Sequence, residues 1–332
     1  MKIFFYPPKG SGHNPYINNF IQSLSSYCDK VLICDQKAKL PSSVIFLHKS
    51  WNADVYILNW IENVANDRLK FIGAILCLLG LKIIKSRKAK IIWICHNIHP
   101  HEGESFWSNK IKHFLFKNST FIIAHSKEAE EYAKKHSDCH VFFKNHPMKV
   151  VDYGVWSDDV KECDLFYWGD ISPYKGVVEF LSHPLCKQSD KKIFIIGKST
   201  TKTIQEQIET LTSNNIIYEN RQADFREIAA QCKKAKYVIF PYIGESISSS
   251  GVLMDTILMG GTPIGPNRGA FADLASQGCC ITYNNLDEIF ALPTDDEHII
   301  KLDDSKVRKF INDNTWEAFG QWIFNMIMRH DV

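Results

Sequence analysis

Short runs of uninterrupted apolar residues set the strongest limit on what this chain can fold into. KIFFYP (Lys2–Pro7), KVLICD (Lys30–Asp35), DVYILNW (Asp54–Trp60), KIIWICH (Lys90–His96) and FIIAHS (Phe121–Ser126) recur along its first part. A strand without polar alternation is buried on both faces, as happens in a parallel sheet covered by helices on each side. Helical segments such as PYINNFIQSLSSY and KEAEEYAKK lie between the runs. The alternation then restarts with DLFYWG (Asp164–Gly169), KIFIIG (Lys192–Gly197) and YVIFPY (Tyr237–Tyr242), separated by GVVEFLSHPL, TIQEQIETLTS and DFREIAAQCKKA. The polar stretch HPMKVVDYGVWSDDVKE divides the two series. The pattern predicts an α/β protein with two tandem Rossmann-like, doubly wound domains facing across a cleft, over residues 1–150 and 151–312. Residues 313–332 are expected as a C-terminal helix packing back on the first domain.

Composition removes several function classes. The 332 residues carry a net charge of +2, which leaves no global basis for binding nucleic acid. Ten cysteines are scattered without a C-x-x-C pair, so neither a zinc framework nor a disulfide scaffold is expected. Met1 leads straight into a strand-like run and not into a leader, which points to the cytoplasm. The longest apolar stretch, Phe71–Ile84, is broken by Lys82 and too short to span a bilayer. It is expected to be a buried helix with a solvated charged end.

Ligands of open parallel sheets bind beyond the carboxyl ends of the strands, so the loops there hold the candidate site. YVIFPY is followed by IGESISSSG and then the apolar helix VLMDTILMGG. A helix start offers unpaired N–H groups and partial positive charge to an anion. Ser248, Ser249 and Ser250 add hydroxyls, and Gly251 permits close approach. The plainer reading is one serine as N-cap and a glycine that eases packing. DLFYWG is followed by DISPYKG, which sets Lys175 ahead of a helix expected near Gly176. A lysine at the positive end of a helix is disfavoured unless an anion lies before it, although a solvated surface lysine fits as well.

FYWGDISPYKG followed by FPYIGESISSSGVLMDTILMGGTPIG resembles the nucleotide-sugar-binding domain of GT-B glycosyltransferases, specifically retaining family 4 and related bacterial polysaccharide-assembly enzymes. GSGHNPYINNFIQSLSSYCDKVLICD, ADVYILNWIENV and IIWICHNIHPHEG extend the resemblance over nearly the whole chain. It implies that Lys175 and the helix start at Ser248 to Gly251 bind the donor diphosphate, of UDP or GDP type, with no cofactor and no metal. The paired glutamates common in family 4 fall here on Ser248 and Thr256. Glu245 and Asp255 are the nearest acids, and Asp255 is the candidate for the ribose. An arginine that often precedes the lysine is replaced by Ser172, and Arg268 is the candidate substitute. Inverting GT-B enzymes share this scaffold, so the stereochemical outcome stays open.

The first domain is expected to carry the acceptor. PPKGSGHNPY places Gly10 and Gly12 in a loop near the donor, with His13 and Asn14 on the acceptor side. His96 closes the fourth apolar run, and the resemblance assigns it to the donor sugar; a core histidine with a satisfied hydrogen bond is the alternative. Glu62 and Glu102 are candidate general bases, needed because an acceptor hydroxyl is a poor nucleophile until its proton can leave. His96, His99, His101 and Glu102 lack metal-site spacing and are interrupted by Pro100. Basic clusters at Lys82, Lys85, Arg87, Lys88 and Lys90, and at Lys110, Lys112, His113 and Lys117, predict a peripheral contact with the inner face of the cytoplasmic membrane. Together these features predict a hexosyltransferase moving sugar from a nucleotide donor to a glycan or lipid-linked saccharide in bacterial capsule, exopolysaccharide or lipopolysaccharide assembly. A nucleotide-sugar epimerase and a non-catalytic nucleotide-sugar binder are the competing readings.

Overall fold

A computed structural model describes residues 1–9, 15–28, 30–35, 53–66, 70–96, 105–151, 153, 160–244 and 250–329. The chain divides into two compact units, one of Met1–Lys149 with Thr315–Val332 and one of Val150–Asn314. Each is built on a six-stranded sheet whose paired neighbours are all parallel.

In the first unit the strands are β1 (Lys2–Lys9), β2 (Lys30–Asp35), β3 (Val55–Asn59), β4 (Lys90–Cys95), β5 (Phe121–Ala124) and β6 (His140–Phe143), in the order β2-β1-β3-β4-β5-β6. Its helices are α1 (Pro15–Ser25), α2 (Lys70–Ser86), α3 (Phe106–Asn118), α4 (Lys127–His136) and, from the end of the chain, α13 (Trp316–Arg329). Both faces of the sheet are covered, which is why its central strands read as unbroken apolar runs. Phe4, Tyr56, Leu58 and Trp93 join the core beneath α2 and α3. Their chain neighbours Ile3, Phe5, Ile57 and Ile94 point the other way, into a core closed by α1 and α13. α13 is seated through Trp316, whose ring centre lies 5.0 Å from that of Tyr16 and 5.7 Å from that of Phe20. Gly320 allows the close approach, since a Cβ there would come within 2.5 Å of the Ser23 carbonyl oxygen.

The second unit holds β7 (Cys163–Trp168), β8 (Ile193–Ile196), β9 (Ile216–Glu219), β10 (Ala235–Ile239), β11 (Pro263–Pro266) and β12 (Ile281–Tyr283), in the order β12-β11-β10-β7-β8-β9. Between and after them run α5 (Val177–Ser182), α6 (Pro184–Gln188), α7 (Lys202–Leu211), α8 (Phe225–Lys234), α9 (Gly251–Leu258), α10 (Gly269–Ser276), α11 (Asp287–Phe290) and α12 (Asp304–Asp313). Side-chain caps start several of them: the Asp224 carboxylate accepts from the Arg226 and Glu227 amides, and Thr201 from that of Ile204. The helix expected across GVVEFLSHPL is in fact two, because His183 before Pro184 is extended (ψ 136°). From β9 the chain returns to the other side of β7 to form β10. The strand order therefore reverses between β7 and β10, and the loops after these strands flank the switch point.

Candidate functional site

The loop after β7 packs directly on the loop after β10. The Ile243 amide donates to the Tyr174 carbonyl at 3.0 Å. Gly176 adopts φ +66°, and a Cβ there would sit 2.0 Å from the Pro241 carbonyl oxygen, so only glycine fits. Lys175 closes a 3-10 turn (Pro173–Lys175) ahead of the six-residue α5 and is itself buried, at 8% exposure. A helix does begin next to Gly176, as expected, and the burial of Lys175 departs from the alternative of a solvated surface lysine. Its Nζ donates to the Tyr242 hydroxyl at 2.8 Å and lies 4.9 Å from the centre of that ring. Burial pulls the Lys175 pKa down, but Tyr242, Tyr174 and Asp170 more than offset it and the net direction is up, so the amine stays protonated. Among the described residues no carboxylate comes within ion-pairing distance of it. This buried ammonium hydrogen-bonds a phenol and, among the described residues, no carboxylate, and an anion would supply a closer counter-charge.

Beside it begins α9. Ser250 is its N-cap, with Oγ accepting from the Leu253 amide at 3.3 Å, so this hydroxyl has the capping role that the plainer reading gave it. The first-turn amides of Gly251 and Val252 have no partner inside the helix. A Cβ on Gly251 would meet nothing within 4 Å among the described residues. Gly169, at the end of β7, lies against this turn: a Cβ there would be 3.5 Å from Val252. Thr256 is wholly buried. Its Oγ1 accepts from Trp168 Nε1 at 2.9 Å and donates to the Val252 carbonyl at 2.8 Å, so this position faces β7 and not a ligand.

Asp255, on the next residue round, is half-buried, and burial pushes its carboxyl up to about 7. An unfolded aspartate titrates near 3.9, so between about pH 4 and 7 the folded protein keeps a proton that the unfolded chain has released. Stability therefore falls as pH rises through that window and levels off above it. Asp255→Asn should remove on the order of 1–2 kcal/mol of that fall, measured by urea unfolding at about pH 5 and pH 8. Identical pH slopes in variant and parent would contradict burial as the cause.

Arg268 precedes α10 at the carboxyl end of β11. Its Nη2 donates to the Tyr242 carbonyl at 3.1 Å, while its Nε is buried without a partner among the described residues. It borders a cleft of about 310 Å³ whose lining includes Tyr242, Asn267, Tyr283 and Asn284. Tyr242 thus joins two cations, touching Lys175 through its hydroxyl and Arg268 through its carbonyl. Sequence reasoning missed it because YVIFPY reads as the end of a strand.

The first unit gathers its own set of polar groups. His96 follows β4 directly, His125 follows β5, and His146 lies just past β6, so three histidines share the carboxyl edge of adjacent strands. The rule that selected His96, a histidine closing an apolar run, applies equally to His125. The Asn59 amide nitrogen donates to the Tyr6 carbonyl at 3.0 Å, which turns Asn59 Oδ1 toward His96 Nε2, also at 3.0 Å. Nε2 is therefore the protonated nitrogen, and Nδ1 keeps its lone pair. His125 Nδ1 faces the Lys144 carbonyl at 2.8 Å, leaving its Nε2 to accept from the Tyr16 hydroxyl at 3.0 Å. Burial, and then the neighbouring His125 and His146, hold His96 well below the usual histidine range. His125 is lowered to about 4 and His146 to about 3, both chiefly by burial. All three are neutral at pH 7. Trp60 stacks on His96 at 4.1 Å between ring centres, from a left-handed backbone (φ 51°) that is costly for a non-glycine residue.

Glu62 sits elsewhere. It is 4% exposed in a 3-10 turn (Ile61–Asn66), on the α2 and α3 side of the sheet, and burial raises its pKa. Its Oε2 has no hydrogen-bond partner among the described residues. Burial of this carboxyl beneath α2 and α3 counts against Glu62 as the base. Gly10, Gly12, His13, Asn14, His99, His101, Glu102, Glu245, Ser248 and Ser249 lie outside the described residues. Among the described residues no three His, Cys, Asp or Glu side chains form a group able to hold a metal ion.

No protein-family model matches the sequence, and no curated protein matches it either. Solved structures do match. Anabaena HepE, in complex with UDP and glucose, superposes with a TM-score of 0.71 at 14% identity, over 99% of this chain and 100% of its own. This is the GT-B fold. AviGT4, a glycosyltransferase involved in avilamycin A biosynthesis, matches with a TM-score of 0.60 at 12% identity, over 99% of this chain and 97% of its own. An α,α-trehalose 6-phosphate synthase from Burkholderia multivorans matches with a TM-score of 0.58 at 10% identity, over 80% of this chain and 78% of its own. The GT-B expectation for the fold is thereby met.

Proposed function

We propose that this protein is a hexosyltransferase that moves a sugar from a nucleotide-sugar donor to a glycan or lipid-linked saccharide in bacterial cell-surface polysaccharide assembly. The observation that carries this reading is Lys175, a buried ammonium with no carboxylate in ion-pairing distance among the described residues, in a loop that flanks the switch point of a parallel sheet together with a helix start whose first amides have no partner inside the helix. HepE has been solved with UDP and with UDP-glucose, which favours UDP over GDP as the donor nucleotide. In this reading Lys175, Arg268, the Gly251 and Val252 amides, and the hydroxyls of Ser248 and Ser249 hold the diphosphate. Gly12 lies by the donor, Asp255 serves the ribose, and His13 and Asn14 face the acceptor. His96 offers the Nδ1 lone pair to a hydroxyl of the transferred sugar. Glu102 is preferred over the buried Glu62 as the base.

Charge develops on the leaving diphosphate as the glycosidic bond breaks, and fixed cations and amide dipoles stabilise it without reorganising. Excess chelator should therefore leave most of the activity intact; complete loss, restored by a divalent ion, would contradict that prediction. The reading also places the enzyme in the cytoplasm, at the inner membrane face where lipid-linked acceptors are held. A thermal-shift screen of nucleotide sugars tests the donor, because a ligand stabilises the folded state by RT ln(1 + [L]/Kd). Stabilisation by UDP-sugars and UDP is expected. No shift with any nucleotide sugar would overturn the reading.

A further inference from the structure

α2 was expected to be buried along its apolar centre, and half of it is. Ala74, Cys77, Leu81 and Ile84 face the core, at 0–3% exposure. The opposite face is apolar too. Phe71, Ile72, Ile75, Leu79 and Ile83 recur at helical spacing and stand exposed, Phe71 at 53% and Leu79 at 48%. A helix packed on a core ordinarily turns charged and polar residues outward, and a contiguous apolar face of this kind marks a surface with a partner.

Charge decides which partner. Residues 70–96 and 105–120 contain no Asp or Glu. Lys82, Lys85 and Lys88 are exposed at the carboxyl end of the stripe, and Lys70 opens the helix. On the adjoining α3, Phe106 is 66% exposed with Lys110 Nζ 5.3 Å from its ring centre. A second copy paired through α2 would bring together two faces that carry lysines and, over residues 70–96, no carboxylate to pair with them. An anionic bilayer supplies both missing halves, apolar depth for the stripe and negative charge for its ends. We infer that the outward face of α2 is a bilayer-insertion surface, lying flat in the headgroup region of an anionic membrane. With its other face fixed on the sheet, the helix has no freedom to span. Among the described residues no helix is long and apolar enough to cross a membrane.

The surface is argued from the first unit alone and does not depend on the transferase reading. Its test is co-sedimentation of the full chain with phosphatidylcholine vesicles, with and without phosphatidylglycerol. Binding should require the anionic lipid and weaken with salt, by about fivefold for each basic residue neutralised. Ile75→Glu with Leu79→Glu should lower binding by about tenfold or more while circular dichroism and Tm stay those of the folded parent. Leu79→Trp should show a blue-shifted emission on the anionic vesicles. No binding to anionic vesicles, or equal binding of the double variant, would overturn the inference. So would a wild-type dimer in sedimentation equilibrium that the double variant converts to monomer, since the face would then belong to a second copy.

Discussion

Lys175→Ala should weaken UDP binding by about 1.5–3 kcal/mol, roughly 10- to 150-fold in Kd, the range for a hydrogen bond to a charged group. Its environment supports the upper part of that range. Lys175 is 8% exposed, it donates to the Tyr242 hydroxyl, and no carboxylate among the described residues comes within ion-pairing distance of it. Water screens it little, so a phosphate reaching it gains more than it would from a surface lysine. The substitution strands no buried carboxylate, and Gly176, which fixes the backbone of the loop, is left in place. The variant should therefore stay folded. Isothermal calorimetry with UDP makes the measurement, and unchanged affinity in a folded variant would remove Lys175 from the site.

His96→Ala should cut kcat/KM by about tenfold or more, the equivalent of about 1.4 kcal/mol of transition-state stabilisation. Affinity for UDP alone should barely move, because the residues assigned to the diphosphate belong to the second unit. The imidazole is neutral and locked in one tautomer by Asn59, which suits a group that accepts a hydrogen bond from a sugar hydroxyl. His96 also packs between Trp60 and Tyr16, so alanine leaves a cavity. His96→Gln keeps most of that volume and should lose rate with less loss of stability. Wild-type turnover in either folded variant would make His96 a packing residue. A parallel loss of UDP affinity would contradict its assignment to the sugar.

Legibility in the sequence followed burial. The central strands β3, β4, β7 and β8 are covered on both faces, and their apolar runs located them to within a residue or two. β6, β9 and β12 sit at or near sheet edges with partly exposed residues, so HVFF, IIYE and ITY carry no comparable run. β11 is PIGP, whose prolines and glycine read as a turn; only its pairing with β10 and β12 makes it a strand. The same limit applies to the candidate site. Lys175 and His96 stood out because each closes a run of readable structure. Tyr242 and His146 did not, since Tyr242 meets Lys175 from 67 residues away and His146 meets Tyr16 only across the sheet edge, whereas His125 closes its run as His96 does and was legible by the same rule. Glu62 misled for the converse reason: its position after β3 is legible, but the turn that carries it into the core is not. α2 misled because an apolar helix gives no sign of which of its two apolar faces has a protein neighbour.

The most direct test of the transferase reading is acceptor-dependent release of nucleoside diphosphate. Purified protein would be incubated with UDP-sugars, with and without a pool of bacterial glycans and lipid-linked saccharides, and the UDP and the acceptor mass followed together. The account predicts UDP release that requires the acceptor, matched by an acceptor heavier by one hexose. Conversion of the UDP-sugar to an isomer without acceptor would point to an epimerase, and tight binding with no UDP released under any acceptor would point to a binding protein; either result would contradict it.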